Sequence, residues 1–315
     1  MISLDSIQEA HNRIRPYIHR TPVLTNQTIN DRTGAELFFK CENFQKIGAF
    51  KARGGLNAIL QVAANQEGKA ITTHSSGNHA QAVAFAARQV GLPAYIVMPR
   101  TAPQVKKEAV LGYGAEVIEC EPTLEAREQG VRDVIARTGA VLVHPFDDER
   151  VIAGQATATI ELIEDAGTPR PFDTIMAPVG GGGLLSGTSL TTHYLSPETR
   201  VIAAEPEGAA DAILSFRSGC VEKAPYIKTI ADGLMTTLSE RTLAIIREHV
   251  ADILTVSDEE ITAAMRLVWE RMKLIIEPSS AVPLAAILKN KDQFAGQKIG
   301  IIVTGGNVDL GKLPF

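Results

Sequence analysis

The 315-residue sequence predicts an α/β fold built on parallel sheet, and three observations carry that expectation. Its apolar, β-branched runs are continuous and do not alternate with polar residues, as in strands covered on both faces. Ala-rich stretches of helical periodicity separate these runs. Several runs end in segments rich in glycine, hydroxyls or amides, the position at which ligands bind in open α/β sheets.

Taken in order, "AITTHSS" (70–76) reads as a strand, and "HAQAVAFAARQVG" as a helix that stops at Gly91. "AYIVMP" (94–99) is a buried strand, "APQVKKEAVLGYG" a helix, and "AEVIEC" (115–120) the next strand. "AVLVHP" (140–145), "DTIMAPVG" (173–180), "VIAAEP" (201–206) and "KIGIIVTGG" (298–306) complete the strands that the pattern predicts. No repeat or low-complexity segment interrupts them, and no linker separates two blocks.

A formal net charge of −5 disfavours a nucleic-acid or anionic-membrane partner, which calls for a basic face. Cys41, Cys120 and Cys220 are odd in number and lack metal-type spacing, so they read as reduced thiols of a cytoplasmic protein. The first residues, "MISLDSIQEAHNRIRP", lack the apolar core of a signal peptide, and no run reaches membrane-spanning length.

Three strand ends bear the chemistry: "THSSGNH" (73–79), "PVGGGGLLSG" (178–187) and "VTGGN" (303–307). Gly180, Gly181, Gly182 and Gly183 lead into a helical "LLSGTSL", and free amides at a helix start bind phosphate. Tight strand–helix packing is the plainer explanation of the same glycines. The run lacks the Lys-Ser or Lys-Thr of a P-loop, and it puts Leu185 or Ser186 where a dinucleotide fingerprint needs its third glycine. Glu205 can still imitate the acidic ribose ligand, so a dinucleotide-dependent oxidoreductase stays open.

Lys51, in "GAFKARGG" (48–55), sits between an aromatic residue and small ones, where its amine is partly out of water. Desolvation lowers a lysine's pKa and makes it a nucleophile. A phosphate-bearing aldehyde such as pyridoxal phosphate would use both features, through a Schiff base at Lys51 and a phosphate at 180–183.

"GAFKARGG", "SSGNHAQA", "PVGGGGLLSG" and "VTGGNVD", in this order, resemble the threonine dehydratase and serine racemase family of pyridoxal-phosphate enzymes. "IADGL", "ADILTVSDEEI" and "ERMKLIIEPSSAV" extend the likeness over essentially the whole chain. "MPRTAP", "EPSSAVPLAAILKN" and "VTGGNVDLGKLPF" are most similar to the 3-hydroxyaspartate dehydratases of that family.

The resemblance implies the fold-type II architecture. It places a large cofactor-binding domain at 1–53 and 147–315 and a smaller inserted αβ domain at 54–146. It implies that Lys51 carries the cofactor and then serves as base, with Phe50 beside the ring and Asn78 on the phenolic oxygen. Gly180, Gly181, Gly182 and Gly183 would hold the phosphate. Thr304 would face the pyridine nitrogen, where the family usually has serine. Ser75, Ser76, Asn78 and His79 match the loop that takes the substrate α-carboxylate. Ser76 matches the serine that racemases use on the opposite face.

Arg127, in "TLEAREQG", matches an arginine that reaches a second acidic group, which favours an acidic substrate. Glu205, Ala209 and Asp211, in "EPEGAAD", match a divalent-cation site for Mg²⁺, with Ca²⁺ or Mn²⁺ as alternatives. The expected reaction is dehydration of a 3-hydroxy amino acid, with 3-hydroxyaspartate giving oxaloacetate and ammonia, and with serine or threonine also accepted. Racemisation of serine or aspartate is the nearest alternative, and a non-catalytic binding module the most distant. A homodimer is implied. The short stretch after Asn307 leaves no room for an isoleucine-sensing regulatory domain.

Overall fold

The computed structural model describes residues 2–167 and 171–315. Along the chain run β1 (Val23–Leu24), β2 (Glu36–Cys41), β3 (Ile71–His74), β4 (Ala94–Pro99), β5 (Glu116–Cys120) and β6 (Val141–Leu142). They are followed by β7 (Thr174–Pro178), β8 (Arg200–Pro206), β9 (Asp252–Val256) and β10 (Lys298–Val303). The strands form two sheets, ordered β1-β2-β10-β7-β8-β9 and β5-β4-β3-β6. All neighbours are parallel except β1 and β2. This is the α/β fold that the strand pattern predicts.

Both faces of the larger sheet are buried, which explains its continuous apolar runs. Leu37, Phe39, Met176, Ile299 and Ile301 pack in one cluster with helices Asp258–Met272 and Pro278–Lys289. Phe38, Ile175, Ala177 and Ile302 pack on the other side, with Leu162, Leu184 and Leu185. The helix ending at Val90 closes on Gly91, which is left-handed at φ 71°, where glycine carries no Cβ penalty.

Three of the strands escape the sequence pattern. β1 has only two residues, and β9 is a half-buried edge strand with polar Asp252 and Thr255. β2 is masked by Lys40, a charge inside an otherwise apolar run that is fully buried in the fold. In the other direction, the run 140–145 forms a strand only at Val141 and Leu142. Pro145 has no N–H to give a ladder, and His144 Nδ1 accepts the N–H groups of Phe146 and Asp147, turning the chain away. Strands expected at 70–76, 173–180 and 298–306 end at His74, Pro178 and Val303, where the chain passes into loops.

Lys51 begins the helix Lys51–Asn65, which crosses helix Glu149–Asp165 in direct backbone contact. A Cβ on Gly154 would lie 2.6 Å from the Gly54 Cα, so the crossing requires the glycines. Buried charge anchors the same turn. The Arg53 guanidinium bonds both carboxylate oxygens of Glu42 at 2.7 and 2.8 Å and both of Glu161 at 2.9 and 2.7 Å. Lys40 joins Glu161 at 2.7 Å and the Thr21 carbonyl at 2.6 Å. Removing one member of such a buried set leaves an uncompensated charge, so the first turn of the Lys51 helix is fixed to β2 and to helix Glu149–Asp165.

Candidate active site

The loops that leave the carboxyl ends of β3, β6, β7 and β10 converge around Lys51, and the segment 143–146 ties them together. Lys51 Nζ donates to the Pro145 carbonyl at 2.7 Å. The His79 ring bonds through Nε2 to the Val143 carbonyl at 3.0 Å, and Phe146 packs against the glycine loop. Phe50, buried ahead of Lys51, donates its N–H to the Thr304 carbonyl at 2.9 Å, while Ala49 bridges Gly305. The Lys51 turn is thereby paired with the end of β10.

Lys51 is half-buried, has no carboxylate partner among the described residues, and lies 5.2 Å from the centroid of the Phe50 ring. Burial lowers its amine from 10.5 to about 8, so a neutral fraction is within reach near neutral pH. The surrounding imidazoles add no positive charge. Burial, followed by the nearby Lys51 ammonium, holds His79 well below its ordinary range. Burial and then His74 bring His144 down to about 4.

Two helix starts face the site with amides to spare. From Gly180 to Leu185 no backbone N–H finds a backbone acceptor among the described residues. Gly182 is left-handed at φ 87°, and a Cβ on Gly181 would lie 2.2 Å from the Phe146 ring. Close packing therefore demands these glycines, and it also leaves the helix Gly183–Leu195 with an open anion-binding end. The first turn of helix Asn78–Val90 is the second such end. Ser75 Oγ accepts the Gly77 N–H at 3.3 Å, and the Ser76 hydroxyl has no protein partner among the described residues. The His79 ring bonds Val143 through Nε2 while its buried Nδ1 has no hydrogen-bond partner, and its backbone N–H lies in the first turn of the helix.

Thr304 is buried, its hydroxyl 2.8 Å from the Ser280 hydroxyl, which also bonds the Gly305 N–H and carbonyl. Asn78 donates from Nδ2 to both oxygens of Glu277 at 2.9 and 3.2 Å. Glu277 lies in the stretch "EPSSAV" that carries part of the family resemblance, but the resemblance assigns it no role. Burial pushes its carboxyl up to about 7, against the Asn78 hydrogen bonds. Arg127, on helix Leu124–Thr138, stands at the periphery. Its Nε bonds the Thr123 carbonyl at 3.2 Å, and its charge helps burial to lower His74. It has no carboxylate partner among the described residues. His74 meets the His144 ring edge-to-face at 5.7 Å, which connects Arg127 to the neighbourhood of Lys51.

Glu205, Ala209 and Asp211 lie apart from this cluster, at the end of β8 and the start of helix Asp211–Ser218. Glu205 accepts the N–H groups of Ala212 and Ile213 at 3.1 and 2.7 Å, a capping role that is at odds with a ribose contact. Burial raises Glu205 to about 8 and Asp211 to about 6, and the buried Asp211 Oδ2 has no hydrogen-bond partner. Among the described residues no three His, Cys, Asp or Glu side chains cluster to hold a metal.

A family model for the pyridoxal-phosphate dependent enzymes matches residues 14–305. The chain belongs to that family. Among pyridoxal-phosphate dependent enzymes, it is 53% identical over 306 residues to a beta-hydroxyaspartate dehydratase of Paracoccus denitrificans, covering 97% of this chain and 96% of that one. It is 51% identical over 316 residues to a serine racemase of Dictyostelium discoideum, covering 99% and 97%. A solved threonine deaminase from T.th. superposes with a TM-score of 0.92 at 44% identity, covering 98% of this chain and 99% of the other. The two sheets match the architecture of the solved relatives, which is fold type II. The dinucleotide and non-enzymatic alternatives are thereby set aside.

The residues present fit the family's cofactor. An amine of depressed pKa, without a carboxylate partner among the described residues, stands beside two helix starts with amides that no backbone carbonyl accepts, and Thr304 adds a buried hydroxyl. No helix among the described residues is long and apolar enough to cross a membrane.

Proposed function

We propose that this pyridoxal-phosphate dependent enzyme is a dehydratase that converts 3-hydroxyaspartate to oxaloacetate and ammonia. The observation that carries the substrate choice is Arg127, a half-buried guanidinium without a carboxylate partner near His74. The identity to a beta-hydroxyaspartate dehydratase supports it.

When bound, pyridoxal phosphate supplies a sink for the electron pair left as the α C–H bond breaks. The amides of 180–185 hold its phosphate. The Thr304 hydroxyl, being neutral, gives the pyridine nitrogen a partner that does not favour its protonation. The first turn of helix Asn78–Val90 orients the α-carboxylate with its N–H groups. Lys51 Nζ takes the α-proton, a task that needs the neutral amine its burial favours. The β-hydroxyl would then leave as water, and the released enamine, through its imine, would take up one water to give oxaloacetate and ammonia. Arg127 holds the distal carboxylate.

Ser76 supports a second reading, racemisation of serine or aspartate. A hydroxyl without a protein partner among the described residues is free to return a proton to the other face, and the 51% identity to a serine racemase favours this. Asp211, with its orphaned oxygen, Glu205 and the Ala209 carbonyl are the ligands we assign to a divalent cation, Mg²⁺ foremost.

The test is 2-oxo acid release from 3-hydroxyaspartate and from threonine, with D-/L- interconversion followed in parallel. The wild type is expected to favour 3-hydroxyaspartate. Arg127→Ala should reduce that reaction about tenfold or more while sparing threonine, as loss of a charged hydrogen-bond donor predicts. Equal losses on both substrates would remove Arg127 from the role, and interconversion outrunning release would favour the racemase.

A further inference from the structure

We propose that Glu277 is a positioning residue, holding the Asn78 amide so that one N–H is left turned toward the phenolic oxygen of the cofactor. The inference rests on the cofactor placement above and goes beyond it by assigning a role to a residue to which the family resemblance gives none.

Glu277 is the residue before Pro278 at the start of helix Pro278–Lys289, yet its side chain makes no capping bond to that helix. An N-cap side chain ordinarily accepts an N–H of its own first turn. Here the carboxylate turns away and accepts from Asn78 Nδ2 at 2.9 and 3.2 Å. It is 5% exposed and pairs with no lysine or arginine among the described residues. Lys106, whose charge favours the ionised carboxylate, is itself bonded to Asp232. Burying a carboxylate without a cation is costly, so what it holds is the informative point.

It holds an amide that is clamped at both ends. Asn307 Nδ2 donates to Asn78 Oδ1 at 2.8 Å and also to the Ile47 carbonyl at 2.8 Å. Reversing the Asn78 amide would set its oxygen against the Glu277 carboxylate and its NH₂ against the Asn307 NH₂. Both contacts would be repulsive, so one orientation remains. An amide nitrogen carries two hydrogens. Glu277 engages one in a forked bond to its two oxygens, and the other is free for an acceptor in the site. The clamp also joins Ile47, ahead of Lys51, to the helix that follows β3 and to the helix that starts at Pro278. Ser280, one turn further along that helix, does the corresponding work for Thr304. One helix start thus positions both ends of the ring site.

The experiment uses cofactor-loaded protein and the variants Glu277→Leu, Glu277→Gln and Asn78→Ala, with the double variant of Asn78→Ala and Glu277→Leu. Leucine keeps the volume without an acceptor, whereas glutamine keeps an acceptor and a foldable shape. We expect E277L and N78A to shift the pH midpoint of the bound cofactor's visible band in the same direction. E277L should lower kcat about tenfold with KM within about twofold, the size of one charged hydrogen bond. E277Q should restore both readouts to within about twofold of wild type, and the double variant should shift no further than N78A alone. A band unchanged in E277L, E277Q as impaired as E277L, or additive shifts in the double variant would overturn the inference. Wild-type protein that gains no visible band with pyridoxal phosphate would overturn the cofactor placement, and the inference with it.

Discussion

Lys51 Nζ donates to the Pro145 carbonyl at 2.7 Å, so the site's amine rests on a neutral acceptor and not on a carboxylate. Its charge is therefore tolerated, not favoured. In the cofactor-free protein the folded amine sits near 8, below its ordinary 10.5. Below about pH 8 both folded and unfolded chains carry the proton, and the folded chain bears the whole cost of burying it. Between the two values the unfolded chain binds more protons, so stability from this group rises with pH and levels off above 10.5. Lys51→Met should raise the urea midpoint of cofactor-free protein near pH 7, with the gap closing toward pH ~10. A gap that does not narrow contradicts a desolvated Lys51.

Arg53 and Arg20 make a paired test of buried against exposed charge. Arg53→Ala leaves Glu42 and Glu161 buried without their shared cation, and should cost about 3–5 kcal/mol by denaturant unfolding. Arg20 bonds Glu164 and Asp165 at 2.7 and 2.6 Å, but 46% of its side chain is exposed. Arg20→Ala should cost no more than about 1 kcal/mol. Similar losses for the two would mean that water reaches Arg53.

Gly181→Ala drives a methyl into the Phe146 ring. Overpacking of this kind costs about 1–3 kcal/mol, and the displaced loop should weaken pyridoxal-phosphate binding in a fluorescence titration. Phe146→Ala in the same chain should recover part of both losses. No recovery would place the strain elsewhere.

For the carboxylate pair at the end of β8, Mg²⁺ should raise the thermal midpoint of the wild type and a chelator should reverse the gain. Asp211→Asn should abolish the response. The effect should reach the cofactor site, because the Leu238 N–H lies close enough to Asp211 to lower its carboxyl and the Leu238 side chain packs beside Gly182. A variant that still responds to Mg²⁺ would clear Asp211 as a ligand.

The sequence made the site easier to see than its supports. The glycine loop and Thr304 stand at strand ends and Lys51 at a helix start, where small and polar residues contrast with apolar neighbours. Glu277 gave no such contrast, since one acid before a proline resembles any helix start. Lys40, Glu42, Arg53 and Glu161 each look like solvated charges until the fold brings them together across the chain. The charge at Lys40 even disguised a central strand. The turn after Leu142 depends on a side-chain acceptor, His144, that strand periodicity does not register. What one strand or loop decides was legible; what two distant segments decide together was not.

The place of β10 in the larger sheet has a consequence for the order of assembly. This strand lies between β2 and β7, yet it leaves the ribosome after the nine other strands of the two sheets. Until it inserts, β2 and β7 lack the neighbour between them, and the Phe50 N–H has no Thr304 carbonyl to meet. A growing chain therefore cannot enclose Lys51 early, and long-range pairing of this kind is slow to form. The lysine gains its chemical character last, when the sheet closes around it.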